Sequence, residues 1–243
     1  MNLKLITYIF GFCVILIAHT LYAANSRELI QAVKHDKQSV VISLLNLGAN
    51  PDQRDQNGIP VLLLSIDLNQ KDTVAALMQH GANVNLRGPT GETALFYAIV
   101  KYDQQTFERL MEAGADVNAK SNDGTTALII AAERGLFKET KLLIDAGANI
   151  NDHDINGQTA LHAAVIARNV QIVDMLLQKG ASVDSLHKGV TPLMYASFIG
   201  DYKIVSLLIS HGADISIKDK KGKTAYSYAF EKNHKKVMQL LNH

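Results

Sequence analysis

The 243-residue chain carries 24 Lys and Arg against 23 Asp and Glu, one cysteine and 47% hydrophobic residues. This balance excludes general nucleic-acid binding, which needs a basic excess to displace counterions, and a lone Cys13 excludes a disulfide framework. Roughly 220 residues beyond the N-terminal segment are enough for a core without cross-links.

Residues 1–23 stand apart from the rest. Lys4 is their only charge, Leu5 to Ala18 is apolar apart from Thr7 and Gly11, and Leu21-Tyr22-Ala23 ends on a small residue. That layout predicts a secretory signal peptide cleaved after Ala23. The run falls short of the roughly 20 apolar residues of a membrane span, although an uncleaved anchor is the rival reading. Cleavage removes Lys4 and Cys13 and leaves 23 basic and 23 acidic residues. The expected location is periplasmic or secreted, in a bacterial envelope.

From Asn25 a period takes over. Leucines recur at 44, 77, 110, 143, 176, 208 and 241, and glycines four residues after the first six, at 48, 81, 114, 147, 180 and 212. A second glycine ladder runs at 58, 91, 124, 157, 189 and 222. A fixed period of this length means stacked supersecondary units, an all-α repeat solenoid. Residues 157–188 show one unit. Thr159 is a helix N-cap before Ala160-Leu161-His162-Ala163-Ala164. Arg168-Asn169 breaks the chain, and Val173, Leu176 and Leu177 form one apolar face of a second helix. Gly180 ends that helix, since glycine adopts the left-handed terminal conformation without steric cost. Thr recurs in phase at 93, 126, 159, 191 and 224, and Thr191-Pro192 fits a cap followed by proline at the first helical position. Thr140 is the exception at an otherwise apolar core position.

This unit resembles the ankyrin repeat. The resemblance implies an ankyrin-type stack of helix-turn-helix units with short β-hairpin fingers. It covers a single domain, 24–243, with units at 25–57 (N-terminal cap), 58–90, 91–123, 124–156, 157–188, 189–221 and 222–243 (C-terminal cap). No Gly/Ser- or Pro-rich linker interrupts it. Only His162 fills the family's histidine position, where the resemblance implies a structural hydrogen bond between neighbouring loops. Pro60 lies one place early, so the first helix of the second unit is expected to start irregularly. The fifth unit is one residue short between Gly180 and Gly189, so its finger should differ in shape. The two end units are expected to show polar outer faces.

No nucleophile elbow, HExxH, CxxC or phosphate loop occurs, so no catalytic, cofactor-binding or metal residue is assigned and the chain is not read as an enzyme. His80 and His211, each before a terminal glycine, are expected to bond the last helix carbonyls. His153 between Asp152 and Asp154 would need ligands from a neighbouring finger to hold a metal. The ladder Asn85, Asn118, Asn151 and Asp184 is read as joining one finger to the next.

In proteins of this family partners bind the concave side. Carried onto this sequence, that side comprises Val100, Lys101, Tyr102, Glu133, Arg134, Ile166, Tyr195, Phe198 and Ile199 on the first helices. The fingertips add Asn122, Asp123, Ile155, Asn156, His187 and Lys188. Phe198 and Ile199 form either an interface hot spot or, for Phe198, a contact with Tyr202. The lysine-rich last unit is either a solvated end or a docking patch for an acidic partner or anionic lipid. The expected function is a monomeric, exported, non-catalytic scaffold that binds a protein partner. Its role would be immunity, inhibition or envelope stress resistance. The alternative is a membrane-tethered adaptor.

Overall fold

The computed structural model describes residues 27–242. The expected signal peptide and its cleavage point lie outside the described residues. The chain packs as two compact units, the first ending at Ala115 and the second starting at Asp116.

The first unit contains α1 (residues 27–34), α2 (Gln38–Asn46), α3 (Val61–Asp67), α4 (Lys71–Gln79), α5 (Ala94–Val100) and α6 (Gln104–Glu112). Here α3 packs on both α4 and α5, and α2 on α4. The second unit contains α7 (Ala127–Glu133), α8 (Phe137–Asp145), α9 (Ala160–Ile166), α10 (Val170–Gln178), α11 (Pro192–Ile199), α12 (Tyr202–Ser210), α13 (Ala225–Glu231) and α14 (Lys235–Leu240). Within it α7, α9, α11 and α13 form one row and α8, α10, α12 and α14 a second.

Helices of two turns do not persist in water, so packing must hold these. In α7 every residue from Ala127 to Ala132 is buried, and in α9 every residue from Ala160 to Val165. Their alanines let neighbouring backbones approach closely, while Leu128, Leu143, Leu161 and Leu176 fill the space between rows. Thr140 is fully buried, and its hydroxyl donates to the Leu136 carbonyl at 2.7 Å.

Capping follows the threonine phase with one gap. Thr126, Thr159, Thr191 and Thr224 each accept the amide three residues on. Thr93 has the same extended backbone but makes no side-chain cap bond. Pro60 occupies the cap position of α3, which therefore also starts without one. At the other ends, Gly48, Gly81, Gly114, Gly147, Gly180 and Gly212 are left-handed, with φ between 78° and 88°. The following amide returns to the helix, as Ala82 does to the Leu77 carbonyl at 3.0 Å. His80 and His211 donate from Nδ1 to the carbonyls of Ala76 and Leu207 at 2.8 and 2.9 Å, as expected.

The turn between the two helices of a unit also needs a left-handed residue. Gly135 and Gly200 supply it at two places, but Tyr102 and Arg168 take φ of 57° and 58° at theirs. For such side chains this conformation costs about 1–2 kcal/mol. At Gly200 a Cβ would lie 2.4–2.6 Å from the His234 ring, so that ring would have to shift.

The fingers depart from the expected hairpins. Among the described residues they hold only isolated bridges, such as Arg54 with Pro60, Lys120 with Thr126 and His153 with Thr159. In two of them an acid takes amides near the turn. Asp55 Oδ1 accepts the amides of Asn57 and Ile59, and Asp154 Oδ1 those of Asn156 and Gln158. Side chains thus take the donors that a strand ladder would otherwise use. The Asn/Asp ladder joins successive fingers as expected. Asn118 donates to the Gly147 carbonyl and accepts the Asn149 amide, and Asn151 does the same with Gly180 and Ser182.

The expected polar end face is corrected at the last unit. Lys235, Lys236 and Gln239 are exposed on α14, but Phe230 on α13 is 64% exposed and stacks at 6.4 Å on Tyr226. The residues in phase with these two in α9, Leu161 and Val165, are covered by α11. Nothing among the described residues covers α13 in that way.

Candidate partner-binding surface

In the second unit, residues four and seven after the cap threonine share one face of a first helix, being three apart. Tyr195 and Phe198 occupy that face on α11, Tyr228 occupies it on α13, and Ile166 on α9. Phe198 is 44% exposed and Ile166 42%, while Tyr195 and Tyr228 are half-buried. Phe198 does not rest on Tyr202. Its ring meets Tyr228 edge-on at 6.2 Å, and Lys232 Nζ stands 4.5 Å over it. Both contacts suit the charge distribution of an aromatic ring, whose face is negative and edge positive. The Phe198 carbonyl accepts from His234 Nε2 at 3.1 Å, which holds this end of the helix in place.

Tyr228 donates its hydroxyl to Asp219 Oδ2 at 2.7 Å. Burial, and then the neighbouring carboxylate, push its phenol up to about 12. The same bond, with the Lys223 amide, holds Asp219 below the usual carboxylate range. Lys223 pairs with Glu231 at 2.6 Å and lies 5.7 Å from the Tyr228 ring. Tyr228 was missed as a site residue in the sequence, and Lys232 was read only as part of the lysine-rich last unit. A signal was present, since Tyr228 shares the phase of Tyr97 and Tyr195, four residues after a cap threonine.

Most other expected residues are at the surface. Glu133 and Arg134 are exposed at the end of α7, and Ile199 is half-buried beside Phe198. At the fingertips Asn122, Asp123, Asn156 and Lys188 are exposed, and Ile155 is 76% exposed. These tips are tied in series. The Ile155 amide donates to the Asp123 carbonyl at 2.8 Å, and the Lys188 amide to that of Asn156 at 3.0 Å. The Asp123 carboxylate takes the Ser121 hydroxyl, which chiefly holds it below its ordinary range. Val100, Lys101 and Tyr102 belong to the first unit, and Lys101 pairs there with Asp67 at 2.7 Å.

His187 is corrected. It was expected at a fingertip but is only 7% exposed. The short fifth finger explains this. Lys188 and Gly189 both take left-handed φ, 53° and 83°, and His187 and Val190 exchange two backbone bonds at 3.0 Å. This is the tight two-residue hairpin turn, so position 187 is the residue before the turn and points inward. Its ring sits 5.7 Å from His162 and 5.8 Å from Tyr195, with Nδ1 buried and without a partner. His162 itself is fully buried. Its Nδ1 accepts the Thr159 amide in a capping box and its Nε2 donates to the Val190 carbonyl at 3.3 Å. Burial pushes this imidazole down to about 4.

The finger cluster around His153 is engaged locally. His153 Nδ1 donates to the Asp154 carbonyl at 2.9 Å, and Asp152 pairs with Lys120 at 2.8 Å. Among the described residues no three His, Cys, Asp or Glu side chains are placed to hold a metal ion, and no helix is long and apolar enough to cross a membrane.

The family model for ankyrin repeats (three copies) matches residues 29–121, 100–187 and 183–243. The crystal structure of the human ASB11 ankyrin repeat domain is similar to the chain, with a TM-score of 0.75 and 25% identity over 88% of this chain and 97% of that one. A Caenorhabditis elegans homologue of transient receptor potential cation channel subfamily A member 1 is 40% identical over 62 residues, which is 26% of this chain and 5% of that protein. The mouse fibronectin type 3 and ankyrin repeat domains 1 protein is 53% identical over 47 residues, 19% of this chain and 14% of its own length. The chain thus spans a small part of these two relatives.

Proposed function

Because the chain belongs to the ankyrin-repeat family, we propose that it is a non-catalytic scaffold that binds a protein partner through the open face of its first helices. Ankyrin repeats are generic protein–protein interaction modules. One observation carries the location. Tyr195, Phe198 and Tyr228 form an aromatic strip in the second unit, with Phe198 44% exposed and the two tyrosines half-buried, and Ile166 extends it. Large, stiff side chains of this kind supply contact area at low ordering cost, and interface hot spots are rich in them. The tied fingertips add a second pre-ordered edge.

The N-terminal apolar segment supports export to a bacterial periplasm, with immunity, inhibition of an envelope enzyme or stress resistance as the role. N-terminal sequencing of the exported protein tests that part. A start at Ala24 is expected, whereas an intact Met1 would favour the tethered adaptor.

The binding claim is tested by Phe198→Ala with Ile199→Ala. Affinity capture from native extract, followed by mass spectrometry, should recover a partner with the wild-type chain. The double variant should bind that partner at least about tenfold more weakly while its thermal melt stays close to wild type. Equal affinity would remove this strip from the interface.

A further inference from the structure

The acids and lysines of the last two repeats do not balance, and this bears on the partner's chemistry. Residues 189–243 contain eight lysines and only four acidic residues. Those acids are already engaged. Asp201 caps α12 through the Ile204 amide, Asp214 takes the amide and hydroxyl of Ser216, Asp219 takes two amides and Tyr228, and Glu231 takes Lys223. Of the eight lysines, only Lys223 has a carboxylate partner among the described residues.

The rest are not scattered evenly. Lys218, Lys220 and Lys221 lie on the finger that leads into α13, and Lys232, Lys235 and Lys236 lie just beyond its other end; all six are exposed. The seven residues of α13 span about 10 Å at the usual helical rise. Between the two lysine groups lie Tyr228 and, beside it on α11, Phe198 with Tyr195.

We propose that this face recognises an extended acidic protein segment. Acidic residues about three to four positions apart would meet the two lysine groups, and one apolar or aromatic residue between them would rest on Phe198 and Tyr228. An extended chain covers about 10 Å in three residues, so the spacing follows from the length of α13. Unpaired lysines around an apolar centre steer an acidic ligand and repel a basic one. The packing of Phe198 favours a peptide over a lipid surface. Its ring is laid edge-on against Tyr228 and beneath Lys232, so it forms a floor and does not project as a membrane anchor does. This inference rests on the scaffold reading and adds the partner's chemistry to it.

The test is to pan a random linear peptide library, displayed on phage, against the full chain and against a Lys232→Glu/Lys235→Glu/Lys236→Glu variant. All three positions are exposed, so the variant should keep its helical circular dichroism and its melt. The wild type should enrich peptides with Asp or Glu on both sides of an aromatic or aliphatic residue. Synthetic copies should bind the variant at least about tenfold more weakly, and binding should fall steeply with salt. Enrichment of neutral or basic peptides whose binding is lost in Phe198→Ala would overturn the acidic-segment inference and leave the scaffold reading intact. So would binding of phosphatidylglycerol vesicles without peptide enrichment, in favour of a lipid surface. No enrichment, together with unchanged partner capture by Phe198→Ala/Ile199→Ala, would sink both.

Discussion

The two units share one repeat frame and differ in what they leave open. In the first unit three lysines pair with carboxylates, two of which are buried. Lys101 meets Asp67 at 2.7 Å, Lys34 meets Asp55 at 3.0 Å and Lys71 meets Asp103 at 3.7 Å. Burial would lift the Asp55 carboxyl, but Lys34 and the amides of Ile59 and Asn57 hold it below its ordinary range. In the second unit the corresponding helix faces carry Ile166, Tyr195, Phe198 and Tyr228, and lysines at its far end lack acidic partners. Leucines and glycines in the same phase build the repeats of both, whereas the threonine caps close only in the second. The surface positions between them therefore decide what each unit can bind, and the frame does not.

The largest contrast should come from two glycines in the same phase. A Cβ at Gly157 would lie 2.2 Å from the Leu186 carbonyl oxygen, whereas at Gly58 the nearest atom is Pro89 Cγ at 3.8 Å, and both residues are left-handed. Gly157→Ala should destabilise by about 3 kcal/mol or more, because backbone must move, and Gly58→Ala by about 1–2 kcal/mol from the conformation alone. Urea melts compare them. Equal losses would mean the short fifth finger yields easily.

A second contrast is pH. His162 is buried and neutral, with its pKa lowered from 6.5 to about 4. The unfolded chain therefore binds the extra proton first. Stability from this group is complete above pH 6.5 and is lost as pH falls towards 4. The loss should be on the order of 3 kcal/mol, at about 1.4 kcal/mol per pH unit over the lowering from 6.5 to about 4, because the buried site disfavours the charged ring. Around the ring stand His187, Tyr195, Ser185, Val190 and, more remotely, Asp154. His162→Gln can still fill the capping box. It should flatten the stability curve between pH 6.5 and 4, and an unchanged slope would assign the effect elsewhere.

The smallest contrast concerns caps. Thr159 bonds the His162 amide and Thr93 bonds nothing at its helix start. Thr159→Ala should cost about 1 kcal/mol and Thr93→Ala a few tenths, read from denaturant midpoints. Equal costs would show that Thr93 acts through packing alone.

Much of the site was legible in part. Phe198, Ile199 and Ile166 could be picked out because their phase is usually polar. Tyr228 could have been found from its phase with Tyr97 and Tyr195. The partner of Phe198 could not, because Tyr202 is close in sequence whereas Tyr228 reaches it only through stacking of α13 on α11. The left-handed backbone of Tyr102 and Arg168 shows in the sequence only through phase, since both stand where Gly135 and Gly200 stand in their units although their side chains disfavour it.

By itself the sequence determined the period, the helix ends, the finger-to-finger ladder and the His80 and His211 bonds. Each of these depends on groups a few residues apart or on identical phases in adjacent units. Only the tertiary structure decided that His187 turns inward, that finger acids replace a strand ladder, and that an aromatic strip lies between two groups of unpaired lysines. Those outcomes depend on how a one-residue deletion and side chains from different repeats meet in space, and local propensity carries no record of that.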